Sequence, residues 1–265
     1  MEEILSTLIN GLSLGGIYAM IALGYTMVYG IAKMLNFAHG DIIMVGACSI
    51  VLIMGGQANP AVAMLAIFDA IIICTFLGVG IEKVAYKPLR GASPLAVLIT
   101  AIGVSYLLQN SAQQIWGSEP KIFKSVVSIK PFVLFGKVTI TGEALVTLLV
   151  AALIMVGLWL FTGKTRTGKA MRAVAEDRDA AQLMGINVNN TIATTFAIGS
   201  ALAALAGLFY LLKSPSISST LGAMPGIKAF TAAVIGGIGS IPGAMLGGIL
   251  LGVVECISYK ITAIA

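Results

Sequence analysis

The feature that most constrains this chain is a series of apolar runs, each long enough to cross a bilayer and each set off by a short polar stretch. A membrane-spanning helix needs about 20 mostly apolar residues. Such runs fall at Leu8 to Ile31, Ala61 to Ile81, Leu95 to Trp116, Glu143 to Phe161, Thr191 to Leu212 and Ala244 to Tyr259. Only 10% of the 265 residues are charged, against about 25% in an ordinary soluble domain. A chain so poor in charge could not clothe a water-facing surface.

Two further segments are less regular. Ile42 to Met54 is apolar but short for a crossing, and it reads as a tilted, partial or broken helix. Gly222 to Gly243 is glycine-rich and interrupted by Pro225 and Pro242, which predicts broken or re-entrant helix. The expected fold is all-α: one membrane domain over residues 1–265, a polytopic bundle of about eight membrane segments. Gly117 to Gly142 is the most polar stretch outside the runs. Its β-type pieces, Val126 to Ile129 and Val138 to Thr141, predict a small extramembrane hairpin.

The start, Met1-Glu2-Glu3, is acidic where a secretory signal is basic, so the first run is read as a retained span. Cys48, Cys74 and Cys256 each fall inside a predicted span and form neither a disulfide nor a zinc framework. Rows of small residues at fourfold spacing (Gly239, Gly243, Gly247; Gly248, Gly252; Gly199, Ala203, Gly207) predict close helix packing.

Loop charge sets an expected orientation. With an external N-terminus, Lys33, the 83–90 loop and the 164–178 loop share one side and hold nine of the sixteen Lys and Arg residues, including all four arginines. Short loops rich in these residues stay cytoplasmic, which places the 163–190 segment inside. The net charge of +5 is spread over these loops and is not a nucleic-acid signature.

Bond-making chemistry finds little support. His39 is the sole histidine, and no His/Cys/Asp/Glu group has metal-ligand spacing, so neither cofactor nor metal is expected. Gly163-Lys-Thr-Arg-Thr-Gly168-Lys169-Ala170 imitates a phosphate loop, yet Ala170 lacks the hydroxyl that would hold magnesium, and the segment follows a membrane span rather than a strand. Beyond it, Arg172 to Gly185 reads as a charge-dense amphipathic helix, within a segment of about 168–185, that ends where glycine permits a left-handed turn. It suits docking of a soluble partner; a solvated loop helix with internal ion pairs accounts for the same composition.

Polar residues at membrane depth are the remaining candidates. Asn36, Phe37, His39 and Asp41 sit in the break after the first run. They read either as a lining or gating element of a pathway or as a membrane-edge turn in which Asn36 caps the next helix. Asp69 and Glu255 fall inside spans, where ionisable groups face a bundle interior or cavity.

Three stretches carry a resemblance. Asp179-Ala180-Ala181-x-x-x-Gly185 resembles the EAA-x-x-x-Gly coupling motif of bacterial ABC importer permeases, with Asp in place of Glu; its Ile-x-Leu-Pro extension is absent. Gly168-x-Ala170-x-Arg172-Ala173-x-Ala175-Glu176-Asp177, Asn36-Phe37-Ala38-His39-Gly40-Asp41 and Phe230-x-x-x-Val234-Ile235-Gly236-Gly237-x-Gly239-Ser240-x-Pro242-Gly243-Ala244 are similar to the LivH-type branched-chain amino-acid permeases, in family order. The resemblance implies a permease subunit in a bacterial cytoplasmic membrane. Its implied partners are a second, related permease, two cytoplasmic ATPase subunits docked on Gly168 to Gly185, and an external binding protein. Members of that family ordinarily continue beyond the position of Ala265 into another apolar segment. The rival expectation is a self-sufficient ion-coupled transporter or channel for a small polar solute, urea and amides included; it explains the broken helices and intramembrane acids but not the coupling motif.

Overall fold

The computed structural model describes residues 2–57, 59–123, 132–134 and 138–264. Six of its helices are long and apolar enough to cross a membrane: α1 (Glu2–Ala32), α3 (Pro60–Ile81), α4 (Pro94–Trp116), α5 (Gly142–Lys164), α8 (Val188–Lys213) and α10 (Ile241–Ile264). Two shorter apolar helices, α2 (His39–Met54) and α9 (Ala223–Gly236), bring the membrane segments to the number expected. The helices begin where the sequence supplies caps. Asn59 and Ser93, each followed by proline at the first helical position, accept N–H bonds from Ala61 and Ala96; Thr141 and Asn187 do the same at α5 and α8.

The bundle is built around α1. Of its most apolar window 89% is buried, against 17% for α4 at the periphery. α10 runs antiparallel along α1: Gly11 lies beside Val253, Gly15 beside Ile249 and Ala19 beside Gly248. A Cβ added at Gly15 would sit 2.7 Å from the Ile249 Cα, so the seam is backbone against backbone. In lipid, where the hydrophobic effect does not drive helices together, such close approach supplies the association through dispersion contacts.

The two short helices explain the irregular segments. After α1 the chain turns at Lys33 (φ +54) and doubles back, so that the His39 side chain packs against Gly24. That is eight residues before Ala32, or ~12 Å back along the helix. α2 therefore starts within the bundle. α9 starts there too, at Gly222, which touches Gly40 backbone to backbone. From that contact the helices diverge: α2 toward an end capped by strands, α9 toward the end holding residues 163–190.

At the strand end, β1 (Lys121–Ile122) pairs antiparallel with β4 (Ser216–Ile217), and β2 (Phe132–Leu134) with β3 (Val138–Ile140). The expected hairpin thus has its second arm in place. The first arm is Phe132–Leu134, while Val126 to Ile129 lies outside the described residues. The β1–β4 pair joins segments 95 residues apart and has no local sequence signal.

Candidate translocation junction and coupling segment

The break between α1 and α2 is a buried polar junction. Asn36 is 3% exposed, His39 1% and Asp41 2%. Asn36 does not cap α2 with its side chain. That position belongs to Ala38, which makes no side-chain cap bond, and Asn36 offers only its main-chain carbonyl to the His39 N–H at 3.1 Å. Its Oδ1 instead accepts from the Tyr86 hydroxyl at 2.9 Å. Tyr86 ends a π-helical turn, Glu82–Tyr86, that prolongs α3; single π-turns recur at functional sites because they redirect one side chain.

His39 is held edge-to-face by Tyr25, with ring centroids 4.8 Å apart. Phe230 of α9 lies 5.7 Å from Tyr25 and 5.2 Å from Phe37, so an aromatic cluster ties the junction to the second short helix. Asn36 Nδ2 and His39 Nε2 are buried with no hydrogen-bond partner among the described residues. Each such atom costs ~1–3 kcal/mol, and two in one break mark it as a place where packing was not the sole constraint.

Asp41 lies in the first turn of α2. Its Oδ1 accepts from Gln109 Nε2 on α4 at 2.9 Å, and the same amide reaches Ser105 Oγ at 3.3 Å. These three residues, with Tyr25, Phe37, Gly40, Gly222 and Gly226, line a cavity of about 290 Å³ that opens between α4 and α9. The rim is apolar: Ile102, Tyr106 and Ile227 are 42%, 62% and 56% exposed.

The structure thus gathers Asn36, Phe37, His39 and Asp41 and leaves out Asp69. That residue is half-buried on α3 beside the exposed Phe68 and does not line this cavity. Glu255 is a structural acid: Lys228 Nζ reaches its Oε1 at 2.7 Å and the Tyr18 hydroxyl donates to Oε2 at 2.9 Å, joining α9, α10 and α1. Ser105 and Gln109 lie one turn apart in a run that also holds Asn110, Ser111, Gln113 and Gln114, so their polarity did not single them out in the sequence. Tyr86 and Tyr25 carried no signal there.

The charged segment forms two helices rather than one: α6 (Arg166–Glu176) and α7 (Arg178–Leu183). The break falls at Asp177, which leaves the helical region (φ −148°) and accepts the Asp179 and Ala180 N–H groups on its Oδ1 at 2.9 and 3.0 Å. Aspartate favours this N-cap geometry over a helix interior. The imitation phosphate loop is helical: α5 runs to Lys164, and Thr165 caps α6 by accepting the Gly168 N–H at 3.0 Å. Gly168 is buried against Phe161 and Thr162, where a Cβ would meet their backbone at 2.5 Å. Gly185 adopts the expected left-handed turn (φ +81), with the Ile186 N–H bonded to the Ala181 carbonyl at 3.0 Å.

Arg172 donates to the Gly163 carbonyl at 3.0 Å, and Ala181 is buried, whereas Glu176, Asp177, Asp179 and Ala180 face outward. Two apolar side chains unforeseen in sequence share that surface: Leu183 and Met184 are 89% and 82% exposed. Arg178 turns inward and donates to the carbonyl of Ala32, the last residue of α1. Burial first, and then the nearby Arg90 guanidinium, hold its pKa below the usual arginine value. Arg90 itself bonds both Glu82, on the π-turn that carries Tyr86, and Asn189 in the first turn of α8.

A bundle of apolar helices with a polar cavity where two short helices meet, and a charged segment at one end, has the build of a membrane permease. Residues 7–264 match the family described as the permease component of branched-chain amino acid transport systems, and the chain belongs to that family. It is 46% identical to the high-affinity branched-chain amino acid transport system permease protein BraD of Pseudomonas aeruginosa, over 95% of this chain and 85% of that one. It is 42% identical to LivH of Escherichia coli, a permease of the same description, covering 96% and 85%. A probable branched-chain amino acid permease of Methanocaldococcus jannaschii shares 31%, covering 89% and 75%.

Proposed function

We propose that this chain is the membrane-spanning subunit of an ATP-driven importer of branched-chain amino acids and supplies half of the translocation pathway. The observation that carries this reading, in a chain of this family, is the direct bond from Arg178 on the charged segment to the end of α1, where the polar junction begins. An ion-coupled transporter has no use for such a link. A subunit driven from outside the membrane requires one.

In this reading α6 and α7 lie on the cytoplasmic side and receive the ATPase subunits. Glu176, Asp179 and the apolar Leu183 and Met184 form the docking face, while Gly168, Arg172, Ala181 and Gly185 hold its shape. Movement of α7 pulls on α1 through Arg178, while Arg90 ties the π-turn after α3 to the first turn of α8. The second permease covers the α4–α9 face, since a cavity with an acid in its floor is tolerated in a membrane only behind protein or water. The binding protein delivers substrate at the strand end, and the N-terminus is extracytoplasmic.

The test is leucine uptake into proteoliposomes holding this chain, its partner permease and the ATPases. Uptake that requires ATP and the binding protein is expected. Uptake by this chain alone under an ion gradient would establish the rival transporter reading instead.

A further inference from the structure

The cavity floor has a specific chemical demand. Asp41 is buried at membrane depth, its two polar neighbours in the cavity, Gln109 and Ser105, are neutral, and no cation pairs with it among the described residues. A carboxylate so placed is stabilised by a cationic partner far more than by amides and hydroxyls. Glu255 makes the contrast, since the same protein gives that acid a lysine. α2 and α9 both begin at the cavity, with Gly40, Gly222 and Gly226 bringing bare backbone to its surface. Phe37, Ile102 and Ile227 add an apolar lining.

We infer that this cavity is a recognition point for the α-ammonium group of the transported amino acid. The Asp41 carboxylate receives that group, and the rim receives an aliphatic side chain. The inference rests on the importer reading for its substrate class and adds a site to it. The pathway is then a selective step rather than a neutral conduit, admitting free α-amino acids and passing over molecules of the same shape that lack the ammonium group.

The experiment is equilibrium binding to the purified complex in nanodiscs without the binding protein, with leucine and 4-methylpentanoate as probes, the second being leucine without its amine. The native complex is expected to prefer leucine by about tenfold or more, the size of one charge-assisted contact. Asp41→Asn is expected to erase that preference and Asp41→Glu to retain it. Equal binding of the two probes by the native complex, or an undiminished preference in Asp41→Asn, overturns the proposal. Because Asp41→Asn removes a buried hydrogen-bonded group, a rim variant guards against misfolding. Ile102→Trp, at a position 42% exposed, is expected to weaken leucine binding, and unchanged binding there also overturns the site. ATP-driven uptake by the native complex is measured alongside: its absence sinks the importer reading, whereas failure of the binding preference with uptake intact sinks only this one.

Discussion

The junction at Asn36–Asp41 and the segment from Gly168 to Gly185 are both polar, but the protein treats them in opposite ways. In the segment, most charges face outward, each helix end has its cap, and Arg178 turns inward onto Ala32. In the junction, polar side chains face inward, and Asn36 Nδ2 and His39 Nε2 go without partners among the described residues. An exposed polar surface is cheap to keep and free to bind something else. A buried, incompletely paired one is costly and is retained where the chain needs two arrangements of nearly equal energy. The contrast is between a surface left open and an interior left incompletely paired.

The largest effect should come from closing the contact between the two short helices. A Cβ at Gly222 would run into the Gly40 carbonyl, so Gly222→Val is expected to abolish accumulation of folded protein, read by size-exclusion chromatography of the membrane extract. Next comes Glu176→Lys with Asp179→Lys. We expect normal accumulation, loss of ATPase co-purification and an uptake at least about tenfold lower, the size of losing one or two charge-assisted contacts; retained co-purification would place the docking face elsewhere. Arg178→Ala should leave the ATPases bound yet lower uptake by about tenfold, since one charged hydrogen bond is worth ~1.5–3 kcal/mol. Wild-type uptake in that variant would remove the link between the two regions.

Smaller effects distinguish buried from exposed polarity. Tyr86→Phe strips Asn36 of its hydroxyl donor and should cost ~1–3 kcal/mol, seen as a lower melting temperature together with weakened uptake. Asp177→Ala removes an exposed cap worth ~1 kcal/mol, shifting the melting temperature by about 2–4 °C. If Asp177→Ala proved the more damaging of the two, the assignment of roles would be inverted.

The six long helices were legible because a 20-residue apolar run has few alternatives, and their starts because Asn59-Pro60 and Ser93-Pro94 announce themselves. The broken character of α2 and α9 was legible from length and from glycine and proline. Their convergence was not, since contact between Gly40 and Gly222 leaves no trace in either local pattern. The same limit applies to the junction. Its residues stood out as polar among apolar, but Tyr86, Gln109 and Tyr25 reach them from other helices, and their inward orientation is a tertiary fact. Asp177 shows the converse. Its composition suited a continuous charged helix, and only the backbone revealed a cap between two.

The seam between α1 and α10 has a consequence for how the protein is made. The helix at the centre of the bundle leaves the ribosome well before its antiparallel partner, with 208 residues between Ala32 and Ile241. At about 5–20 residues per second, α1 waits roughly 10–40 s in the bilayer with its glycine face uncovered. Until Ile241–Ile264 arrives, Gly11 and Gly15 are open to any small-residue stripe nearby, that of a second nascent copy included. Chains arrested before α10 should therefore be targets for membrane proteases, and quality control of this permease turns on the arrival of that helix.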